Sequence, residues 1–172
     1  MMVMYASVVM TVLAADRPGL VAALSETIAA HGGSWQESRM AHLAGQFAGI
    51  LRVECPASQV DSLLGDLATL ESQGISVQAR REEAASGPAR ETLSLDIVGN
   101  DRPGIIRALS AAIAGAGGNV EDLSTSLESA PMAGHPIFHA QGLVSLAADA
   151  DPAALIAAIE QLGPDLSVSI DR

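Results

Sequence analysis

An internal repeat constrains this chain more than any other feature. The stretch ADRPGLVAALSETIAAHGG, residues 15–33, returns as NDRPGIIRALSAAIAGAGG at residues 100–118. Shifted back by 85 positions, Asp101, Arg102, Pro103 and Gly104 fall on Asp16, Arg17, Pro18 and Gly19. Gly117 and Gly118 fall on Gly32 and Gly33. Eleven of the eighteen positions 16–33 are identical. A tandem duplication of one small folding unit is the direct reading. The 172 residues leave about 80–90 for each copy, enough for a small core. The expected division is a first domain over residues 1–80, a linker over 81–91 and a second domain over 92–172. The linker region is charged, rich in small residues and broken by Gly87-Pro88.

Each copy opens with period-two alternation, Val8, Met10 and Val12 in the first and Leu93, Leu95 and Ile97 in the second. That is the pattern of a half-buried strand. Pro18 and Pro103 are then expected in the first turn of a helix, where a missing N–H costs nothing. Leu20, Leu24 and Ile28 recur every four residues, as do Ile105, Leu109 and Ile113, giving one apolar stripe per helix. The Gly pairs end these helices. Strands are expected at about 35–42, 46–54 and 75–80 in the first copy, and 120–128, 137–146 and 166–170 in the second. Second helices are marked by Val60, Leu63, Leu67 and Leu70, and by Leu155, Ile159 and Leu162. The order βαββαβ is the ferredoxin-like motif, so the fold class is α+β: two four-stranded antiparallel sheets, each with two helices on one face.

Charge narrows the function. Nine arginines, no lysine and twenty acidic residues give −11. Such a chain repels phosphate backbones, and 2% aromatics leave no stacking platform, so no direct nucleic-acid partner is expected. Cys55 is the only cysteine, consistent with a reducing, cytoplasmic setting, and it reads as the buried end of a strand. The apolar start, MMVMYASVVMTVLAA, lacks a positive charge before Arg17 and aligns with the mid-chain ETLSLDIVGN, so it reads as a strand, not a leader. No apolar run reaches the ~20 residues of a membrane span. His135 and His139 flank a strand start rather than sharing a helix face, and no metal is expected. Ser25 and Ser110 lie in helices with no histidine constellation, and no phosphate loop or dinucleotide fingerprint is present, so neither catalysis nor a cofactor is expected. Trp35 is expected in the core or at an interface, Arg39 either paired with Glu37 across one face of its strand or contacting a partner, and Glu82 and Glu83 in solvent.

A strand that turns straight into a helix aims backbone N–H groups and about half a positive charge at one spot. Gly19 and Gly104 let a ligand approach the backbone closely. Asp16 and Asp101 add a fixed negative charge. Carboxylate to the N–H groups and ammonium to the aspartate is the pattern an amino acid would satisfy. The same residues fit a simpler role, with each aspartate capping the helix that follows.

Strand, then D-R-P-G, then helix, then G-G, inside βαββαβ and present twice, resembles the ACT domain, a family of regulatory modules that bind amino acids and other small metabolites. The segment from Glu37 through Phe47 more narrowly resembles the glycine cleavage system transcriptional repressor family. That resemblance implies a non-enzymatic regulator that senses an amino acid, glycine above all, and acts on a protein partner such as a transcriptional activator. A detached regulatory subunit of an amino-acid-metabolising enzyme is the alternative. Two units are expected to pair side by side, with homodimers possible. Ligands are then expected where the strand–helix loop of one unit faces the second strand of another, which implicates Asp16, Gly19 and Leu20 with Ser34, and Asp101, Gly104 and Ile105 with Asn119. Asn119 supplies a side-chain amide where the first copy has only Ser34, so the second copy is the more competent site.

Overall fold

The computed structural model describes residues 2–83, 87–132 and 134–171. The chain forms two compact units, Met1–Ser86 and Gly87–Arg172. The first contains β1 (Tyr5–Ala15), α1 (Leu20–Ala30), β2 (Ser34–Leu43), β3 (Gln46–Pro56), α2 (Val60–Thr69), a 3-10 turn (Leu70–Gln73) and β4 (Ile75–Arg81). The second contains β5 (Glu91–Asn100), α3 (Ile105–Gly115), β6 (Gly118–Ser129), β7 (Pro136–Leu146), α4 (Pro152–Glu160) and β8 (Ser167–Asp171). Each unit is βαββαβ with an antiparallel four-stranded sheet, ordered β2-β3-β1-β4 in the first and β6-β7-β5-β8 in the second. Residues 84–86 of the expected linker, and Ala133 in the loop before β7, lie outside the described residues.

The cores follow the patterns that define the elements. Val8, Met10 and Val12 face Leu20, Leu24 and Ile28 of α1 and Val60, Leu63 and Leu67 of α2, all buried. Leu93, Leu95 and Ile97 do the same with Ile105, Leu109, Ile113, Leu155 and Ile159. Each large side chain removed from water contributes about 1.5–3 kcal/mol before entropy is counted, so the stripes set which helix faces turn inward. Cys55 is buried at the end of β3, where burial pushes its thiol up from the ordinary range. Trp35 is partly buried against the first core.

The Gly pairs act as the sequence suggests, and the second glycine has its own reason. Gly32 takes φ 69° and Gly117 φ 80°. The Gly32 and Gly33 N–H groups donate to the Ala29 and Ile28 carbonyls at 2.9 Å, closing the helix end. A Cβ on Gly33 would lie 2.6 Å from Ile28 Cγ2, so only glycine lets β2 pass under α1.

Gly142 meets a similar limit in β7. It pairs with Leu95 and Leu123, beside the irregularity between Val120 and Asp122 in β6. A Cβ there would stand 2.2 Å from the Asp122 carbonyl oxygen, a backbone atom that cannot swing away. Gly65, in α2, meets nothing within 4 Å. Gly142→Ala should therefore lower stability by about 1–3 kcal/mol, whereas Gly65→Ala should raise it by about 0.5–1 kcal/mol. Urea denaturation of the two variants checks both signs.

Candidate functional site

The D-R-P-G segment is a turn before the helix, not its first turn. Helices α1 and α3 begin at Leu20 and Ile105, after Gly19 at φ 90°, ψ 3° and Gly104 at φ 80°, ψ 11°. Pro followed by Gly in this left-handed conformation has the residue pattern of a type II turn. In the second unit the Ile105 N–H closes it onto the Arg102 carbonyl at 3.2 Å. Pro18 and Pro103 thus precede the helices, because the glycine has to interrupt helical geometry before the chain can enter it. Neither helix has a side-chain cap, so the capping role open to Asp16 and Asp101 is not taken. Asp151 shows what such a cap looks like here: its Oδ1 accepts the Ala153 N–H at 3.0 Å at the start of α4.

The arginine of the motif has a structural task that patterning did not reveal. Arg17 Nη2 donates to the Gln73 carbonyl at 2.7 Å, and Arg102 Nη2 to the Leu162 carbonyl at 2.6 Å. Both carbonyls lie at or just beyond the end of the unit's second helical segment, where carbonyls lack helical partners and the dipole favours a cation. The turn between the first strand and first helix is thereby tied to the far end of the second helix. Arg102 also stands 3.6 Å from Asp165, whose other oxygen accepts the Asn100 N–H at 2.9 Å. The only sequence signal for this link is the repetition of the arginine itself.

The two mouths differ. In the second unit, Asp101, Ile105, Ile106, Thr125, Ser126, Leu127 and Phe138 line an open hollow of about 310 Å³. It combines one carboxylate, two hydroxyls, the uncapped first turn of α3 and an apolar wall. The Asp101 N–H is held by the Pro136 carbonyl at 3.0 Å. In the first unit, Asp16 faces the β2–β3 hairpin instead: its N–H donates to the Gly45 carbonyl at 2.9 Å, and its Oδ2 lies 3.6 Å from His42 Nε2.

Asp101, Gly104 and Ile105 therefore come together, and Asn119 stands apart from them within its unit. Asn119 pairs with Ser145, which pairs with Thr92 at the opposite end of β5. From Thr92 to Asn100 the strand rises about 25 Å. Asn119 donates to Glu121 at 2.8 Å, and Glu121 also accepts the Ser145 hydroxyl at 2.6 Å. Ser34 is separated from Asp16, Gly19 and Leu20 in the same way, since it pairs with Glu54 opposite Ser7.

Other expectations need correction. Glu37 pairs with Arg52 at 3.1 Å, its direct cross-strand neighbour. Glu82 is not simply solvated: its N–H donates to the Ser7 carbonyl at 2.9 Å, its carboxylate accepts the Ser7 hydroxyl, and Arg52 lies 3.7 Å away. His139 lies 2.9 Å from Asp96, which also accepts from Gln141 at 2.9 Å. These two hydrogen bonds hold the Asp96 carboxyl below its usual range. Among the described residues, no group of three or more His, Cys, Asp or Glu is placed to hold a metal ion. No described helix is long and apolar enough to cross a membrane.

The Asp165 carboxyl is also held below the usual carboxylate range, chiefly by the Asn100 N–H and its own backbone N–H, with Arg102 and His135 adding to them against the effect of burial. A depressed carboxyl contributes stability that is fully present above its unfolded value near ~3.9 and is lost as pH falls through the lower folded value. Wild-type stability should fall more steeply than that of Asp165→Asn from about pH 5 downward, measured by urea midpoints against pH. Arg102→Ala should cost about 1–2 kcal/mol at neutral pH, since it leaves the Leu162 carbonyl without its charged donor.

Residues 6–79 match the family model of the ACT domain. No curated protein matches the sequence significantly. Among solved structures, an unknown protein from Galdieria sulphuraria is similar over 98% of both chains, with 27% identity and a TM-score of 0.79. A candidate glycine cleavage system transcriptional repressor is similar over 98% of this chain and 97% of its own, with 17% identity and a TM-score of 0.69. At that identity the second likeness is one of fold. The match to the ACT domain model lies within the first unit, and the second unit repeats that unit's βαββαβ fold, so the whole chain has the two-unit fold of these solved structures.

Proposed function

We propose that this protein is a non-enzymatic, cytoplasmic sensor of an amino acid that regulates a protein partner, and that the hollow at the mouth of α3 receives the ligand. The observation that carries this reading is the composition of that hollow: Asp101, an uncapped helix start and an apolar wall at one place. The ammonium of an amino acid pairs with Asp101. Its carboxylate takes the N–H groups of Ile106 and Arg107 in the first turn of α3, where the dipole favours negative charge. Ile106, Leu127 and Phe138 receive the side chain.

Glycine is the ligand implied by the likeness to the glycine cleavage repressor family, and a transcriptional activator is the partner that likeness implies. The hollow's size and apolar wall also leave room for a larger aliphatic amino acid. The pairing of Asp16 with His42 makes the first mouth the weaker candidate. Occupancy of a site built from a turn, a helix start and a sheet edge couples to whatever surface those elements present, and such coupling is typically about 1–3 kcal/mol. An Asn119 drawn from another unit would complete the site, as the side-by-side arrangement of the resemblance implies.

Titration calorimetry against glycine, alanine, serine, valine and leucine tests the reading. Saturable binding of at least one is expected, weakened at least tenfold by Asp101→Asn and little changed by Asp16→Asn. Absence of heat with all five would contradict it.

A further inference from the structure

Strand register aligns the two mouths residue by residue and shows where the copies have diverged. Phe47 of β3 pairs with Ala14 of β1 and with His42 of β2. Phe138 of β7 pairs with Gly99 of β5 and with Leu127 of β6. Ala14 and Gly99 each stand two residues before the mouth aspartate, so His42 and Leu127 hold the same place in the fold. By the same alignment Val21 stands where the second unit has Ile106, and Phe47 where it has Phe138. The first mouth therefore keeps most of a receptacle: Asp16, the uncapped start of α1 after Gly19, and apolar groups at both wall positions. Met40, which replaces Thr125, is taken up by packing. It lies against the first core, over Gly49, where an added Cβ would stand 2.5 Å from its Cγ. What remains different is the side chain set against the aspartate. His42 Nε2 lies 3.6 Å from Asp16 Oδ2, whereas Leu127 offers no nitrogen and lines the open hollow with Asp101.

We propose that this one position decides which mouth can take an amino acid: His42 closes the first and Leu127 opens the second. The inference rests on the reading that the mouth of α3 is the ligand site. An imidazole that carries its proton presents to Asp16 what the ammonium of an amino acid would present, an N–H and a positive charge. Because it is tethered beside the carboxylate, it competes at a high effective concentration. An exposed pair of this kind is weak in itself, so the closure is a competition that one substitution can lift. Leucine at the same place acts the other way. It leaves the carboxylate to the ligand and adds apolar surface beside Ile106 and Phe138. Both residues are more than half exposed, so exchanging them disturbs little packing. The first mouth is thus a latent site that carries its own substitute for the ligand.

The test is titration calorimetry of the full chain with glycine and with leucine. Leu127→His should weaken binding about fivefold or more, and Leu127→Met should leave it within about twofold. Asp101→Asn disables the second mouth. Adding His42→Leu to that variant should restore binding to within about tenfold of wild type, and adding Asp16→Asn to the pair should remove it again. Recovery at a different aspartate is a result that a merely structural role for His42 would not produce. Circular dichroism confirms folding, and the His42→Leu arm stands by itself if Leu127→His fails to fold. A folded Leu127→His that binds like wild type, or a double variant as weak as Asp101→Asn alone, would overturn the proposal while leaving the α3 site in place. No binding by wild type and none by His42→Leu would overturn that site as well.

Discussion

Each unit is organised around an arginine that reaches from the first strand–helix turn to the last carbonyls of the second helical segment. Arg17 holds the Gln73 carbonyl and Arg102 the Leu162 carbonyl. This cation neutralises the negative end of one helix while its backbone leads into the positive start of another. The neighbouring glycine, at positive φ, is what lets the chain change direction there. The turn is thus fixed in place by side chain and backbone together, and the residues beside it, Asp16 and Asp101, are left free of capping duty. A carboxylate spared from satisfying the helix is one that can face a ligand.

The strands, helices and core were readable because burial writes itself into the sequence with a fixed period. Val8, Met10 and Val12 alternate, and Leu20, Leu24 and Ile28 recur each turn, and all six are buried. The helices start two residues later than the prolines suggest, for a specific reason. Proline at a helix start and proline in a type II turn share the same φ, and only the glycine that follows decides between them. The arginine link left no trace beyond the repetition of the arginine, since a side chain that crosses to a carbonyl about 60 residues away leaves no local pattern. The site was partly legible. Asp101, Gly104 and Ile105 are adjacent in sequence and share one mouth, whereas Asn119 lies at the far end of its sheet, a separation that strand direction imposes.

Duplication gave two copies of one fold, and their differences carry the functional argument. The first unit engages its mouth aspartate with His42, and its uncovered sheet face carries ordered rows of charge. The second keeps an open, apolar-walled hollow and a polar sheet face tied by Asp96, His139 and Gln141. In the reading proposed above, the second copy is the receptacle for a small molecule. Each unit has its own core, so the two copies could diverge at their mouths without disturbing one another's packing.

The most direct measurement is an amide-resolved NMR titration of the labelled protein with the amino acid it binds best. The account predicts shifts concentrated at Asp101, Ile105, Ile106 and Arg107, where the first turn of α3 would take the carboxylate, and smaller ones at Asp16 and Leu20. Shifts centred on the first unit's mouth, or no shift at millimolar amino acid, would contradict it.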